Sequence, residues 1–214
     1  EGFSGLVVKI QFAEWFLEST PLRIKLPPSP RLRRTSRKGK ENIIRSDAGV
    51  AMQDLVDFSV NRGLAGLEWA GGLPGSLGGA IRGNAGAFRG EIKDIILSVE
   101  SFDVNKMKVV RRENGGCRFA YRSSIFKEEQ GGEIILSAAL GLKKGDPKKI
   151  AQAVDEKINY RRARHPMDYP NIGSIFKNVD LKKVPKELHA RFASVIKVDP
   201  FPVVPTAFLI SEAG

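Results

Sequence analysis

Between Gly63 and Gly90 the chain reads GLAGLEWAGGLPGSLGGAIRGNAGAFRG, and no other stretch limits its fold as severely. The segment holds ten of the 22 glycines in the sequence, yet Leu64, Leu67, Trp69, Leu73, Leu77 and Ile81 make it too apolar for a linker. Glycine at this density in a segment that packs means that the backbone turns through positive φ, or lies against something with no side chain between. Two arrangements meet that demand. One is a cradle for a phosphate-bearing cofactor, because bare N–H groups in tight turns form anion-binding concavities. The other is a set of turns and bulges at sheet corners. The spacing leaves both open. It excludes a dinucleotide fingerprint, since no G-x-G-x-x-G stands between a strand and a helix, and a P-loop, since no Gly-Lys-Ser/Thr occurs.

Around this segment the elements alternate. Leu6–Ile10 reads as a short strand and Asn42–Ala48 as a second. Met52, Leu55, Val56 and Val60 follow helical spacing, with Gly63 placed to end the helix at C′. Residues 92–104 and 106–111 read as paired strands with a tight turn at Asp103-Val104-Asn105, and Glu133–Leu142 as another strand. Asp146-Pro147 is a helix start, an N-cap followed by proline at the first helical position, and Ile150, Val154 and Ile158 extend one apolar face towards Arg161-Arg162. Beyond His165 the chain becomes proline-punctuated, which reads as the start of another domain. The chain opens almost on a strand and stops on Ser211-Glu212-Ala213-Gly214, so both ends are expected to be cut from a longer polypeptide.

Charge and cysteine usage bound the partners. No apolar run approaches the ~18 residues of a membrane span, and no basic n-region of a signal peptide precedes the first strand. A single cysteine, Cys117, fits a reducing compartment and reads as an inert small hydrophobe, so the chain is expected to be cytoplasmic. The net charge of +11 is concentrated between Pro21 and Lys40, where eight basic residues meet no acidic one. Such a run can hold nucleic acid electrostatically. It lacks an aromatic stacking surface and its prolines oppose a recognition helix, so a solvated loop between two strands is the expectation.

Three clusters besides the glycines could carry chemistry. Arg122 lies in the apolar and aromatic run FAYRSSIF, and a buried guanidinium needs an anion: Glu128, Glu129 or a ligand carboxylate. Ser174 follows glycine in GSIFKN, either a reactive hydroxyl or a plain turn, without the second glycine of G-x-S-x-G. Arg161, Arg162, Arg164 and His165 could attract phosphate or simply oppose a helix macrodipole. One cysteine and two distant histidines make no zinc site.

In order and wording, PGSLGGAIRGNAGAFRGEI, FAYRSSIFK, HPMDYPNIGSIFKN and PTAFLISEAG resemble the UDP-N-acetylenolpyruvoylglucosamine reductases (MurB), flavoenzymes that complete UDP-N-acetylmuramate in peptidoglycan synthesis. The resemblance covers nearly the whole chain except a basic insertion at about residues 13–41. It implies an α+β fold: an FAD-binding domain of the p-cresol methylhydroxylase-like type over residues 1–164, then the start of a smaller α+β substrate-binding domain over 165–214. It implies FAD as cofactor, NADPH as co-substrate and a small UDP-sugar, UDP-N-acetylglucosamine enolpyruvate, as the molecule reduced. A monomer without membrane or nucleic-acid partners goes with it. Among the residues, Leu73, Pro74, Gly75, Gly78, Gly79, Asn84 and Gly86 match the flavin-contacting loop. Arg122 matches the arginine held against the substrate carboxylate, Ser174 the serine that protonates the adjacent carbon, and Tyr121, Lys177 and Asn178 the substrate lining. Hydride addition to the enolpyruvyl methylene leaves negative charge on the carboxylate side, which is what a fixed cation stabilises. A serine serves as the acid only when its hydroxyl is held close to the carbanion. Phe88 stands where the family has Tyr, and Arg89 where it has Gly. The family's first flavin loop and its C-terminal glutamate have no counterpart here, so this chain alone is expected to bind FAD poorly and to be inactive. Another flavoprotein of the same superfamily, or a nucleic-acid module built on residues 23–40, are the competing readings.

Overall fold

The computed structural model describes residues 33–38, 41–128, 132–165, 169, 175–198 and 201–214. Its centre is an antiparallel sheet in the order β1-β2-β8-β6-β7, with β3 also paired to β8. The strands are β1 (Arg33–Lys38), β2 (Glu41–Asp47), β3 (Leu64–Ala65), β6 (Ile96–Asp103), β7 (Lys108–Glu113) and β8 (Glu133–Lys144). β8 is central, pairing along its length with β2 on one side and β6 on the other. β6 buries Ile96, Ser98, Val99, Ser101 and Asp103, an alternation broken by bulges against β8.

Four helices complete the core, among them the short α3 (Ile125–Glu128), which buries Ile125 and Phe126. α1 (Met52–Asn61) buries Met52, Leu55 and Val56; Gly63, at φ +61, ends it as the sequence implies, its N–H reaching back to Val60 O at 3.0 Å. α2 (Leu77–Gly83) is capped by Ser76, whose Oγ accepts from Gly79 N, and stops at Asn84 in the left-handed region. α4 (Pro147–Arg162) starts on Asp146, whose carboxylate accepts from Lys148 N at 2.9 Å, and buries Ile150 and Val154. With Ile44 on β2, Val99 on β6 and Leu140 and Leu142 on β8, the side chains of Met52, Leu55, Val56 and Val154 make one apolar cluster. Each such side chain removed from water contributes roughly 1.5–3 kcal/mol.

Three expectations need correcting. The basic stretch is not wholly a loop: Arg33–Lys38 is β1, paired with β2, while residues 1–32 and the Leu6–Ile10 strand lie outside the described residues. The strand expected from Ile92 begins at Ile96, because Glu91 and Asp94 form a reciprocal capping box that closes a 3-10 turn over Ile92–Asp94. The following turn spans residues 104–107. Asp103 accepts the amides of Asn105 and Lys106, each at 3.0 Å, and Met107 takes φ +50, so β7 begins only at Lys108.

After α4, β9 (Val179–Asp180), β10 (Lys197–Val198) and β11 (Pro202–Val204) form a separate sheet in the order β10-β11-β9. With α5 (His189–Phe192) and α6 (Thr206–Ala213) they bury Val203, Val204 and Phe192. Tyr121 meets Phe201 of this unit edge to face, 4.9 Å between ring centroids.

Candidate functional site

The glycine segment folds as a chain of turns on the edge of the core, and its glycines divide by what they face. A Cβ on Gly78 would stand 2.9 Å from Ala48 Cβ, and one on Gly90 2.5 Å from the indole of Trp69, so these two are bare because protein lies against them. Gly75, at φ +104, and Gly83 would meet nothing within 4 Å, and Gly79 only Ser76 Oγ at 3.7 Å. Leu73 is half-buried and Pro74, Gly75 and Gly79 are exposed. The amides at the start of α2 are already used: Leu77 N donates to Val50 O and Gly78 N to Ala48 O. The free edge is therefore the backbone around Pro74–Gly75 and Gly79, a surface a flat ligand can approach without meeting a side chain.

The side chain of Asn84 is engaged with the chain itself. It is fully buried; its Nδ2 donates to Ala120 O at 2.9 Å and its Oδ1 accepts from Lys93 N at 3.3 Å. It thereby ties the end of α2 to two later segments. One is the turn Ala120–Ser123, closed by Ala120 N to Ser123 O at 3.0 Å and the reverse bond at 3.1 Å. Arg122 sits on this turn at φ +53. Ser124 Oγ donates to Arg82 O at 2.8 Å and holds the turn against α2.

Arg122 points at the hairpin of β4 (Gly86–Ala87) and β5 (Gly90–Glu91). Its Nη2 donates to Gly86 O at 2.6 Å and its Nη1 to Asn84 O at 3.4 Å. The acid nearest it is Glu91, with Oε1 3.7 Å from Nη1, not Glu128, which accepts from Ser123 Oγ instead. Glu129 lies outside the described residues. The guanidinium is not sealed off: the side chain keeps 34% of its exposure, and it faces a cavity of about 180 Å³ lined with Gly86, Arg89, Glu91, Lys93 and Asp94. Arg122 also lies over the Tyr121 ring, 5.1 Å from its centroid.

Further cations gather beside it. Lys127 Nζ donates to Arg122 O at 3.1 Å, and its pKa is pushed down by burial, then by the charges of Lys177 and Arg82. Lys177, expected at the substrate lining, is close enough to Lys127 for its charge to be felt there. Asn178 is engaged with the chain itself, its Oδ1 accepting from Thr206 N at 3.2 Å while Thr206 Oγ1 donates to Lys177 O. Ser174 lies outside the described residues.

Two features of the site were not read from the sequence. Glu91 could have been found through its spacing to Asp94, the reciprocal cap of a short helical turn. The packing of Phe88 against Tyr160, 5.2 Å between centroids, has no local signal, because the two are far apart in the chain.

An antiparallel sheet carrying helices and a glycine-turn edge is an α+β arrangement. Residues 30–111 match the family described as FAD binding domain. The chain is similar to UDP-N-acetylenolpyruvoylglucosamine reductases: 33% identical to that of Solibacter usitatus over all of this chain and 60% of the relative, and 39% to that of Pseudothermotoga lettingae over 64% of this chain and 47% of the relative. The crystal structure of UDP-N-acetylenolpyruvylglucosamine reductase (MurB) from Thermus caldophilus superposes with a TM-score of 0.53 at 25% identity, over 73% of this chain and 59% of that one. The chain spans about half the length of the curated relatives it matches.

Proposed function

We propose that the chain is the part of an FAD-dependent reductase that holds the flavin through its glycine turns and the enolpyruvyl carboxylate of a UDP-sugar through Arg122. The observation that carries this reading is the Arg122 guanidinium, fixed by two backbone carbonyls yet open to a cavity. A cation hydrogen-bonded to backbone carbonyls, with its one acidic neighbour among the described residues at 3.7 Å and without a hydrogen bond, can still meet an incoming anion. The open backbone at Gly75 and Gly79 fits a flat cofactor, and Leu73 and Pro74 precede Gly75 directly, while Gly86 lies against Glu91 and Arg122. FAD, when bound, supplies the hydride that NADPH provides.

The chain's own residues then divide the work. Arg122 binds and orients the carboxylate and stabilises the charge that spreads into it during reduction to UDP-N-acetylmuramate. Ser174 gives its proton to the adjacent carbon. Tyr121 and Lys177 border the substrate, with Asn178 supporting them through α6. Residues 1–164 are the flavin-binding part and 165–214 belong to a substrate-binding domain, a division supported by the separate sheet of β9–β11. A cytoplasmic monomer acting in cell-wall synthesis completes the reading. Among the described residues no helix is long and apolar enough to cross a membrane.

Calorimetry with FAD and with UDP-N-acetylglucosamine enolpyruvate, on the full-length protein and on its Arg122→Ala variant, tests the assignment. The substitution should abolish binding of the enolpyruvyl sugar and leave FAD affinity within a few fold. Equal sugar affinity in both proteins would remove Arg122 from the site. Retention of nucleic acid by the wild-type chain, lost on deleting residues 23–40, would favour the competing module.

A further inference from the structure

We propose that Glu91 is the positioning residue for Arg122, the carboxylate that aims the guanidinium into the cavity. The inference rests on the reading of Arg122 as an anion-holding group, and four observations carry it. Glu91 is buried, its side chain retaining 10% of its exposure. Its two oxygens have different fates: Oε2 pairs with Lys93 Nζ, whereas Oε1 has no hydrogen-bond partner and stands 3.7 Å from Arg122 Nη1. A buried carboxylate oxygen without a hydrogen bond is costly unless a cation faces it, and Arg122 is the cation placed there.

The backbone is built to allow this approach. Gly86 pairs with Glu91 across the β4–β5 ladder, and a Cβ at Gly86 would stand 2.7 Å from Glu91 Cγ and 3.1 Å from Arg122 Nη1. Gly86 is therefore the gap through which arginine and glutamate meet. The capping box then fixes Glu91 itself: its N–H donates to Asp94 Oδ2 at 2.9 Å, and its side chain accepts from the Asp94 amide. Glutamate, glycine and arginine thus meet at one wall of the cavity, which Glu91 and Arg122 both line. Gly86 O and Asn84 O set where the head of Arg122 lies, and Glu91 sets which way it faces.

The test follows the Arg122 side chain directly, by its guanidinium N–H resonances in the folded 214-residue chain, assigned through Arg122→Lys. Glu91→Gln keeps an acceptor for the cap and removes the charge. Glu91→Asp keeps charge and cap but withdraws the carboxylate by one methylene, so it answers the question if the glutamine variant fails to fold. In both, the Nη–H protons that Arg122 donates to Asn84 O and Gly86 O should exchange with solvent at least tenfold faster than in the wild type while the backbone amide spectrum outside residues 84–94 stays in place. An unchanged Arg122 signal in either folded variant overturns the proposal. The reductase reading is tested separately in the same samples. Adding UDP-N-acetylglucosamine enolpyruvate should shift the wild-type Nε–H signal, and a signal that ignores the sugar refutes that reading while leaving the Glu91 result to stand on the exchange data.

Discussion

Gly90 lies flat against Trp69, so close that a Cβ built on the glycine falls 2.5 Å from Cδ1 and Cγ of the indole and 2.9 Å from its Cβ. Trp69 is itself 7% exposed and seated in the main core, so its ring has nowhere to retreat. Gly90→Ala should therefore destabilise the chain by about 1–3 kcal/mol through overpacking. Gly83→Ala, where an added methyl meets nothing within 4 Å, is the control and should be neutral or stabilising by up to ~1 kcal/mol. Urea midpoints at unchanged m-value read both effects.

Glu133 anchors a polar cluster between β6, β7 and β8. Ser101 Oγ donates to its Oε2 at 2.5 Å and Arg112 Nε to the same oxygen at 3.2 Å, while Arg112 Nη2 pairs with Oε1. The Arg112 hydrogen bonds, and after them that of Ser101, hold the Glu133 pKa below the usual carboxylate range against the opposing effect of burial. A depressed carboxylate contributes stability that is complete above its ordinary pKa and is lost as pH falls through the folded value. Glu133→Gln should cost about 1–3 kcal/mol at pH 7 by removing the charge from the hydrogen bonds that Arg112 and Ser101 donate to it. Between wild type and variant the gap should narrow as the pH of a urea titration is lowered from 5 to 3.

What the sequence revealed of this fold was what lies within a few residues of itself. Asp146-Pro147 announced α4, Gly63 the end of α1, and the apolar run of 133–142 the central strand, because caps and alternation are local signals. The 3-10 turn at Ile92–Asp94 was hidden by the alternating apolar residues around it, which a strand would show equally. Which glycines face protein was not legible either: Gly78 against Ala48 and Gly90 against Trp69 are contacts set by tertiary packing. The same holds for Arg122, whose acidic neighbour lies on a hairpin far earlier in the chain rather than at the adjacent Glu128.

Cys117 is fully buried, and burial pushes its thiol pKa up to about 11. The thiol is therefore neutral and shielded at physiological pH, and a disulfide reagent at pH 8 should react only at the rate of unfolding. A raised thiol pKa stabilises the folded state fully below the ordinary thiol value, near ~8.5. That contribution is lost as pH rises towards the folded value. Cys117→Ala should accordingly be less sensitive than wild type to a shift from pH 8 to pH 10.5, measured by urea denaturation. Fast modification of the native protein at pH 8 would contradict the burial.

The tip of the β4–β5 hairpin places two ordinary residues where the backbone favours glycine: Phe88 at φ +50 and Arg89 at φ +65. Such two-residue hairpin turns require positive φ at both central positions, and a side chain there costs roughly 1–2 kcal/mol. Phe88 recovers that cost through its ring, which meets Tyr160 edge to face at 5.2 Å and lies under Lys157 and Arg161 at 5.2 and 5.3 Å. Arg89 has no comparable ring contact to offset its strain. Arg89→Gly should therefore raise stability by about 0.5–1 kcal/mol, the relieved strain being partly offset by the greater freedom of glycine in the unfolded chain. Phe88→Gly relieves the same kind of strain but removes an aromatic side chain from α4, and should lower stability by about 1–2 kcal/mol. Thermal melts of the two variants should thus shift in opposite directions. A shift of the same sign in both would mean that backbone strain, rather than the Phe88–Tyr160 contact, governs the hairpin that carries Glu91.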